Sequence, residues 1–225
     1  MTRSALLAAL LVATIPGPAV ADCPTNGASV YSNYGYYAYQ HTGPTWSGGF
    51  VNYDLIVVTF GLSGGGGGGE QSAGSTLGVS DIYQIVGPAS AIPIPFQVVV
   101  HFAGHLSASR YSYPEIGSIC NSVATQYTLT SGPTSASYSR DSYSQECTSV
   151  DFDQDVSIAL EKLPDEAFTV ANGLQVYGSS GGSVNGTITF VGLPTGYSVS
   201  SCQGYSAQPT PVSNTSWGSL KASYR

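Results

Sequence analysis

Three short stretches of the chain carry side chains of the types and spacings that chemistry uses. In DFDQDV, Asp151, Asp153 and Asp155 occupy every second position. Bent into a loop, such carboxylates converge on a hard cation such as calcium, which takes oxygen ligands. Along an extended strand they stand about 6.6 Å apart and act as edge charges that discourage strand-to-strand aggregation. Val156 and Lys162 stand where an EF-hand loop has its glycine and its bidentate glutamate, so a calcium site here would not be of that type. His101 and His105 are four residues apart. A helix would put them over one metal ion, but a strand separates them by about 13 Å, too far to share it, and they read as solvent-facing. Gly178-Ser179-Ser180-Gly181-Gly182 matches the G-x-S-x-G nucleophile pattern. That pattern needs a strand-to-helix elbow and a histidine later in the chain. Here a Gly/Ser turn leads to another strand, and His41, His101 and His105 all lie upstream. No catalytic residue is assigned, and no metal site is assigned beyond the calcium alternative.

A fourth stretch, YSNYGYYAYQHTGPTW, concentrates Tyr31, Tyr34, Tyr36, Tyr37, Tyr39 and Trp46. Rings with a polar handle stack on sugars and anchor protein contacts. They also serve as cross-strand pairs in an ordinary sheet. The cluster is therefore a possible glycan or partner contact set against a purely structural reading.

The elements that must position these residues are strands. In FQVVVHFAGHL, Val98, Val100, Phe102 and Leu106 share one face, and Gln97, Val99, His101, Ala103 and His105 the other, the period-two pattern of a half-buried strand. The same reading places strands at 55–62, 79–86, 123–130, 156–160, 168–177, 187–191 and 197–202. Gly- and Pro-rich turns separate them, among them SSGGSVNG after Tyr177. β-Branched and aromatic residues fill these runs, and helical periodicity is confined to the first residues. The fold predicted is an all-β, single antiparallel β-sandwich or jelly roll with disulfides.

The chain opens with Arg3, an apolar run, Pro16-Gly17-Pro18 and Ala19-Val20-Ala21, the signature of a secretory signal peptide spanning 1–21. The mature part divides into a β-sandwich domain at 22–205, with a flexible Gly-rich loop at 63–75, and a linker with an amphipathic tail at 206–225. No later run is long enough to span a membrane. Four cysteines in an exported chain pair; Cys23 with Cys202 would tie the two ends, and Cys120 with Cys147 would close the loop between them. A net charge of −7 with scattered cations excludes nucleic acid as a partner. Only 8% of residues are charged, so solubility rests on hydroxyls and amides.

Behind Pro209 and Pro211 the tail turns basic and amphipathic. Trp217, Leu220, Lys221 and Tyr224 fall on one helical face, followed by Arg225. The signal peptide, the run LPDEAFTV…ITFVGLPTGYSVSSCQGY and this tail together resemble bacterial secreted β-sandwich proteins that end in a short C-terminal sorting or anchoring segment. The resemblance implies a location and no common activity; it departs from the sortase pattern, since Leu193 to Tyr197 is internal and lacks the residue that LPxTG requires. The function expected is a secreted or cell-surface, non-catalytic structural or adhesive role. Its partners would be cell-surface components, polysaccharide or other copies of itself. The alternatives are a carbohydrate-binding module built on the N-terminal Tyr/Trp cluster and a secreted hydrolase.

Overall fold

The computed structural model describes residues 23–32, 35–48, 50–64, 73–113, 117–142 and 147–207. The segment 1–21, Tyr34, and the tail residues Trp217, Leu220, Lys221, Tyr224 and Arg225 lie outside the described residues. Alternation has produced strands throughout: β1 (Asn26–Ser32), β2 (Gly35–His41), β3 (Thr45–Gly48), β4 (Val51–Asp54), β5 (Thr59–Gly64), β6 (Ala73–Val86), β7 (Ile94–Leu106), β8 (Ser109–Tyr113), β9 (Gly117–Asn121), β10 (Val123–Ser131), β11 (Thr134–Asp141), β12 (Val150–Lys162), β13 (Ala167–Gly178), β14 (Gly182–Val191), β15 (Ser198–Ser201) and β16 (Ser206–Ala207).

Every pairing among them is antiparallel. An eight-stranded sheet runs β11-β10-β13-β6-β1-β2, with β15 added beside β6 and β16 beside β15; a six-stranded sheet runs β12-β7-β14-β5-β4-β3; β8 and β9 form a separate hairpin. The two large sheets bury their inner faces against each other, and the aromatic contacts cross between them. Tyr127 of one sheet lies 4.9 Å from Phe102 and 6.1 Å from Phe60 of the other, ring centre to ring centre. Tyr83 meets Phe190 at 4.9 Å and Phe96 meets Phe168 at 5.4 Å. Burial drives the Tyr83 and Tyr127 phenols well above their ordinary range; the Tyr127 hydroxyl is satisfied by donating to Asn172 Oδ1 at 2.6 Å.

The 14-residue β6 organises the larger sheet. One edge pairs with β13 over residues 73–84. The other is divided between the first strand and one of the last: β1 takes residues 74–78 and β15 takes 83–86. At the joint, side chains replace missing ladder partners. Ser80 N donates to Asn26 Oδ1 at 2.8 Å, Ile82 N to Asp81 Oδ1 at 2.8 Å, and Gln203 N to the same oxygen at 3.3 Å. The Cys23–Cys202 disulfide, Cα atoms 5.6 Å apart, clamps this junction. Cys120–Cys147 ties the β8–β9 hairpin to the segment before β12. Both pairings are those expected from the sequence.

Several expected boundaries change; the strands read at 79–86, 156–160 and 187–191 lengthen to β6, β12 and β14, and the one at 197–202 shortens to β15. The strand read at 55–62 loses its first half, because residues 55–58 make a turn, with Val58 at φ 51°, that joins β4 to β5. The turn read in SSGGSVNG shrinks to its first residues; Gly182 already begins β14, and Asn185-Gly186 are strand residues opposite Gly61 and Phe60 of β5. The loop read at 63–75 loses both ends to β5 and β6.

Glycine occupies position 186 for a packing reason: a Cβ there would collide with the Phe60 ring, whereas at Gly173 it would meet nothing within 4 Å. Gly186→Ala is expected to cost about 1–3 kcal/mol by overpacking, and Gly173→Ala to change stability by less than about 0.5 kcal/mol. Urea unfolding of both variants checks the contrast.

Candidate functional site

The outward face of the eight-stranded sheet is built by strand register. Ala38, Ser29, Thr76, Gln175, Gln126 and Ser139 form one row across β2, β1, β6, β13, β10 and β11; the next row reads Gln40, Gly27, Gly78, Gly173, Thr128 and Ser137. Beyond it lie Ser80, Ala171, Thr130 and Ser135. The three consecutive glycines leave a shallow groove of about 430 Å³, walled by Ser80, Thr128 and Thr130. Among the described residues, these rows and the one beside them carry a single charge, Asp141, at a corner. Such a surface presents hydroxyls, amides and backbone, groups that both donate and accept.

The aromatic cluster is divided between two faces. Tyr36 points outward beside these rows and is 68% exposed. Tyr37, Tyr39 and His41 share the parity of buried Ala28 in the paired strand β1 and turn toward the other sheet. There Tyr39 meets Trp46 at 6.0 Å and Phe50 at 6.2 Å, His41 stacks on Trp46 at 5.8 Å, and Trp46 meets Tyr53 edge-on. His41 Nδ1 and the Tyr53 hydroxyl are hydrogen-bonded at 2.8 Å. Trp46 is thus a half-buried packing residue closing the β2/β3 side of the sandwich, rather than part of one platform with Tyr36.

The outward face of the six-stranded sheet is different. Asp151, Asp153 and Asp155 all face outward from edge strand β12, and the register places Asp151 opposite His105 and Asp155 opposite His101 on β7. His105 Nδ1 lies 2.7 Å from Asp151; His101 lies 2.9 Å from Asp155 through Nδ1 and 3.5 Å from Asp153 through Nε2. The carboxylates are drawn to histidines instead of to one point. Among the described residues, no group of three or more His, Cys, Asp or Glu side chains is arranged to hold a metal ion. Ser180 is buried in its turn, with its backbone N–H donating to Ser122 O at 3.2 Å.

One charged group escaped the sequence reading. Asp81 is 1% exposed on the inner face of β6, between Val79 and Tyr83, and its Oδ2 and the neighbouring Asn26 Nδ2 are buried without a hydrogen-bond partner. Burial raises the Asp81 carboxyl above its ordinary value, against the Ser201 hydroxyl and the Ile82 and Gln203 amides, which pull it down. The signal was present: in VSDIYQIV the aspartate occupies a position that alternation assigns to the core.

These features define an all-β, antiparallel, disulfide-bonded sandwich with one outer face that is uncharged apart from Asp141 at a corner and one that is lined by His and Asp. The chain matches no protein-family model and no curated protein.

A carboxyl whose folded pKa is raised binds its proton more tightly folded than unfolded. Its contribution to stability is therefore full at acid pH and is lost as pH rises through the folded pKa. Asp81→Asn, which keeps the shape without the charge, is expected to raise the melting temperature at neutral pH. Relative to wild type, that gain should shrink as the buffer is acidified below the folded pKa. Thermal unfolding of both proteins from mildly alkaline to acid pH checks this, and the comparison cancels Glu166, whose bond to Lys162 lowers its pKa and acts in the opposite sense.

Proposed function

We propose that the chain is an exported, non-catalytic protein with a structural or adhesive role outside the cell or at its surface, and that the uncharged face of the eight-stranded sheet is its contact surface. The observation that carries this reading is the field of Ser, Thr, Gln, Gly and Ala rows running from β2 to β11. A face without charge sheds its water at low electrostatic cost, and its paired donors and acceptors suit an uncharged hydroxyl-rich surface. Two disulfides suit an oxidising compartment, and the signal at 1–21 supplies the export route. Among the described residues, no helix is long and apolar enough to cross a membrane.

A second reading, binding of polysaccharide, is favoured by one observation: Tyr36 is exposed on this same outward face, next to the amide and hydroxyl rows. A ring at the rim of a polar field can stack on a sugar while the rows hydrogen-bond its hydroxyls.

Retention of the protein on insoluble neutral polysaccharides and on cell-wall preparations tests both. The wild type is expected to bind with little dependence on salt, because no ion pairs are involved. Gln126→Lys/Gln175→Lys should reduce retention at least about tenfold, a loss of about 1.4 kcal/mol, while the two opposed lysines lower the unfolding free energy by no more than about 1 kcal/mol. Asp153→Lys, on the opposite face, should retain binding. Equal retention of the Gln double variant would overturn this choice of surface; binding to cell wall but not to polysaccharide would leave the adhesive reading and remove the glycan one.

A further inference from the structure

Among the described residues five strands border the two sheets: β2, β11 and the 2-residue β16 in the eight-stranded sheet, β3 and β12 in the six-stranded one. An open edge offers unpaired N–H and C=O groups to any passing strand, and proteins guard it with charge, proline or brevity. β12 carries Asp151, Asp153, Asp155 and Glu161, β11 carries Arg140 and Asp141, and β3 has only 4 residues. β2 has none of these defences. Its 7 residues, GYYAYQH, contain no Asp, Glu, Lys, Arg or Pro. Among the described residues it pairs with β1 alone. Tyr36, Tyr37 and Tyr39 remain 68%, 53% and 44% exposed, and Ala38 and Gln40 are exposed between them.

We propose that β2 is the edge through which two copies of this chain pair, strand against strand and antiparallel, about a two-fold axis at Ala38. The sequence of the strand argues for a second copy as the occupant because it complements itself in that register. Ala38 faces the partner's Ala38, Tyr37 faces the partner's Tyr39, and Tyr36 faces the partner's Gln40. Each tyrosine pair then occurs twice, small residues meet each other on the axis, and no like charges meet. The guarded β12 paired with itself would oppose carboxylates. Paired residues of antiparallel strands point to the same side, so the outward faces of both copies stay on one side. A 7-residue strand is about 23 Å long, and an aromatic side chain contributes at most about 150–250 Å². Stable interfaces begin near a total of about 1,200 Å², so this pair sits at the small end and forms with rising concentration. The proposal does not depend on what the outward face binds.

Sedimentation velocity of the full-length chain over a dilution series is the test. The wild type should move from monomer to dimer. Ala38→Lys and Tyr37→Lys, both at exposed positions, should weaken the dimer at least about tenfold while circular dichroism and unfolding remain those of wild type; Ser137→Lys, toward the opposite edge, should leave it unchanged. Register has its own readout. Ala38→Cys should give a covalent dimer with a short thiol-to-thiol crosslinker, because opposed Cβ atoms lie about 4.5–5.5 Å apart, a little beyond the reach of a direct disulfide, and Gln40→Cys should not. A wild type that stays monomeric throughout, an Ala38→Lys variant that dimerises like wild type, or equal crosslinking through both engineered cysteines would overturn the proposal.

Discussion

The larger sheet depends on how one edge of β6 is filled. Backbone N–H and C=O groups on that edge are buried, and buried groups must be paired. Two strands from opposite ends of the chain supply the partners, β1 beside residues 74–78 and β15 beside 83–86. Neither reaches the middle. The side chains of Asn26 and Asp81 bridge that gap by accepting from Ser80, Ile82 and Gln203 amides. This explains why an aspartate occupies a core position despite the cost of burying it. Its oxygen is the acceptor that backbone geometry does not supply there. The Cys23–Cys202 bond, joining residues 179 apart, holds the two terminal strands at the joint. Once formed, it removes the loop-closure entropy of that distant contact from the unfolded chain.

With the inner faces committed to this core, function falls to the two outer faces and the edges, and these differ in chemistry. On the six-stranded sheet the register pairs each of two histidines with a carboxylate across the β7–β12 boundary. Those charges serve the long edge strand by keeping foreign strands away. The eight-stranded sheet takes the other course. Its outer rows are hydrated entirely through hydroxyl, amide and backbone groups. One protein thereby presents a charged surface and an almost uncharged one, divided by sheet.

Much of this was legible in local sequence. Alternation in FQVVVHFAGHL assigned Val98, Val100 and Phe102 to the core and His101 and His105 to solvent, as the fold has them, and the pairing expected of the four cysteines gave the clamp. What was not legible depends on partners distant in sequence. Asn185-Gly186 has the composition of a turn, but Gly186 is a strand residue that leaves room for the Phe60 ring. Residues 55–62 alternate well enough for one strand, yet the chain bends at Val58 so that β4 and β5 can pair. In YYAYQH tyrosines fall on both faces, so the pattern cannot say which ring packs and which is free; only the pairing with β1 separates Tyr36 from Tyr39 and Trp46. The aspartates were read as edge charges or cation ligands, and their histidine partners lie about 50 residues earlier, beyond the reach of any spacing argument.

The edge and the face bear on each other. If copies pair through β2, the two eight-stranded sheets become one continuous sheet whose uncharged rows lie side by side, because antiparallel partners keep the same side outward. Tyr36 and the partner's Gln40 would then sit in the middle of that field instead of at its rim. A weak contact per copy gains strength when two are held on one rigid body, since the second binding event is intramolecular. A small self-complementary edge and a flat neutral face therefore make a coherent design. Each alone is a modest surface, and pairing at the edge enlarges the face without covering any of its rows.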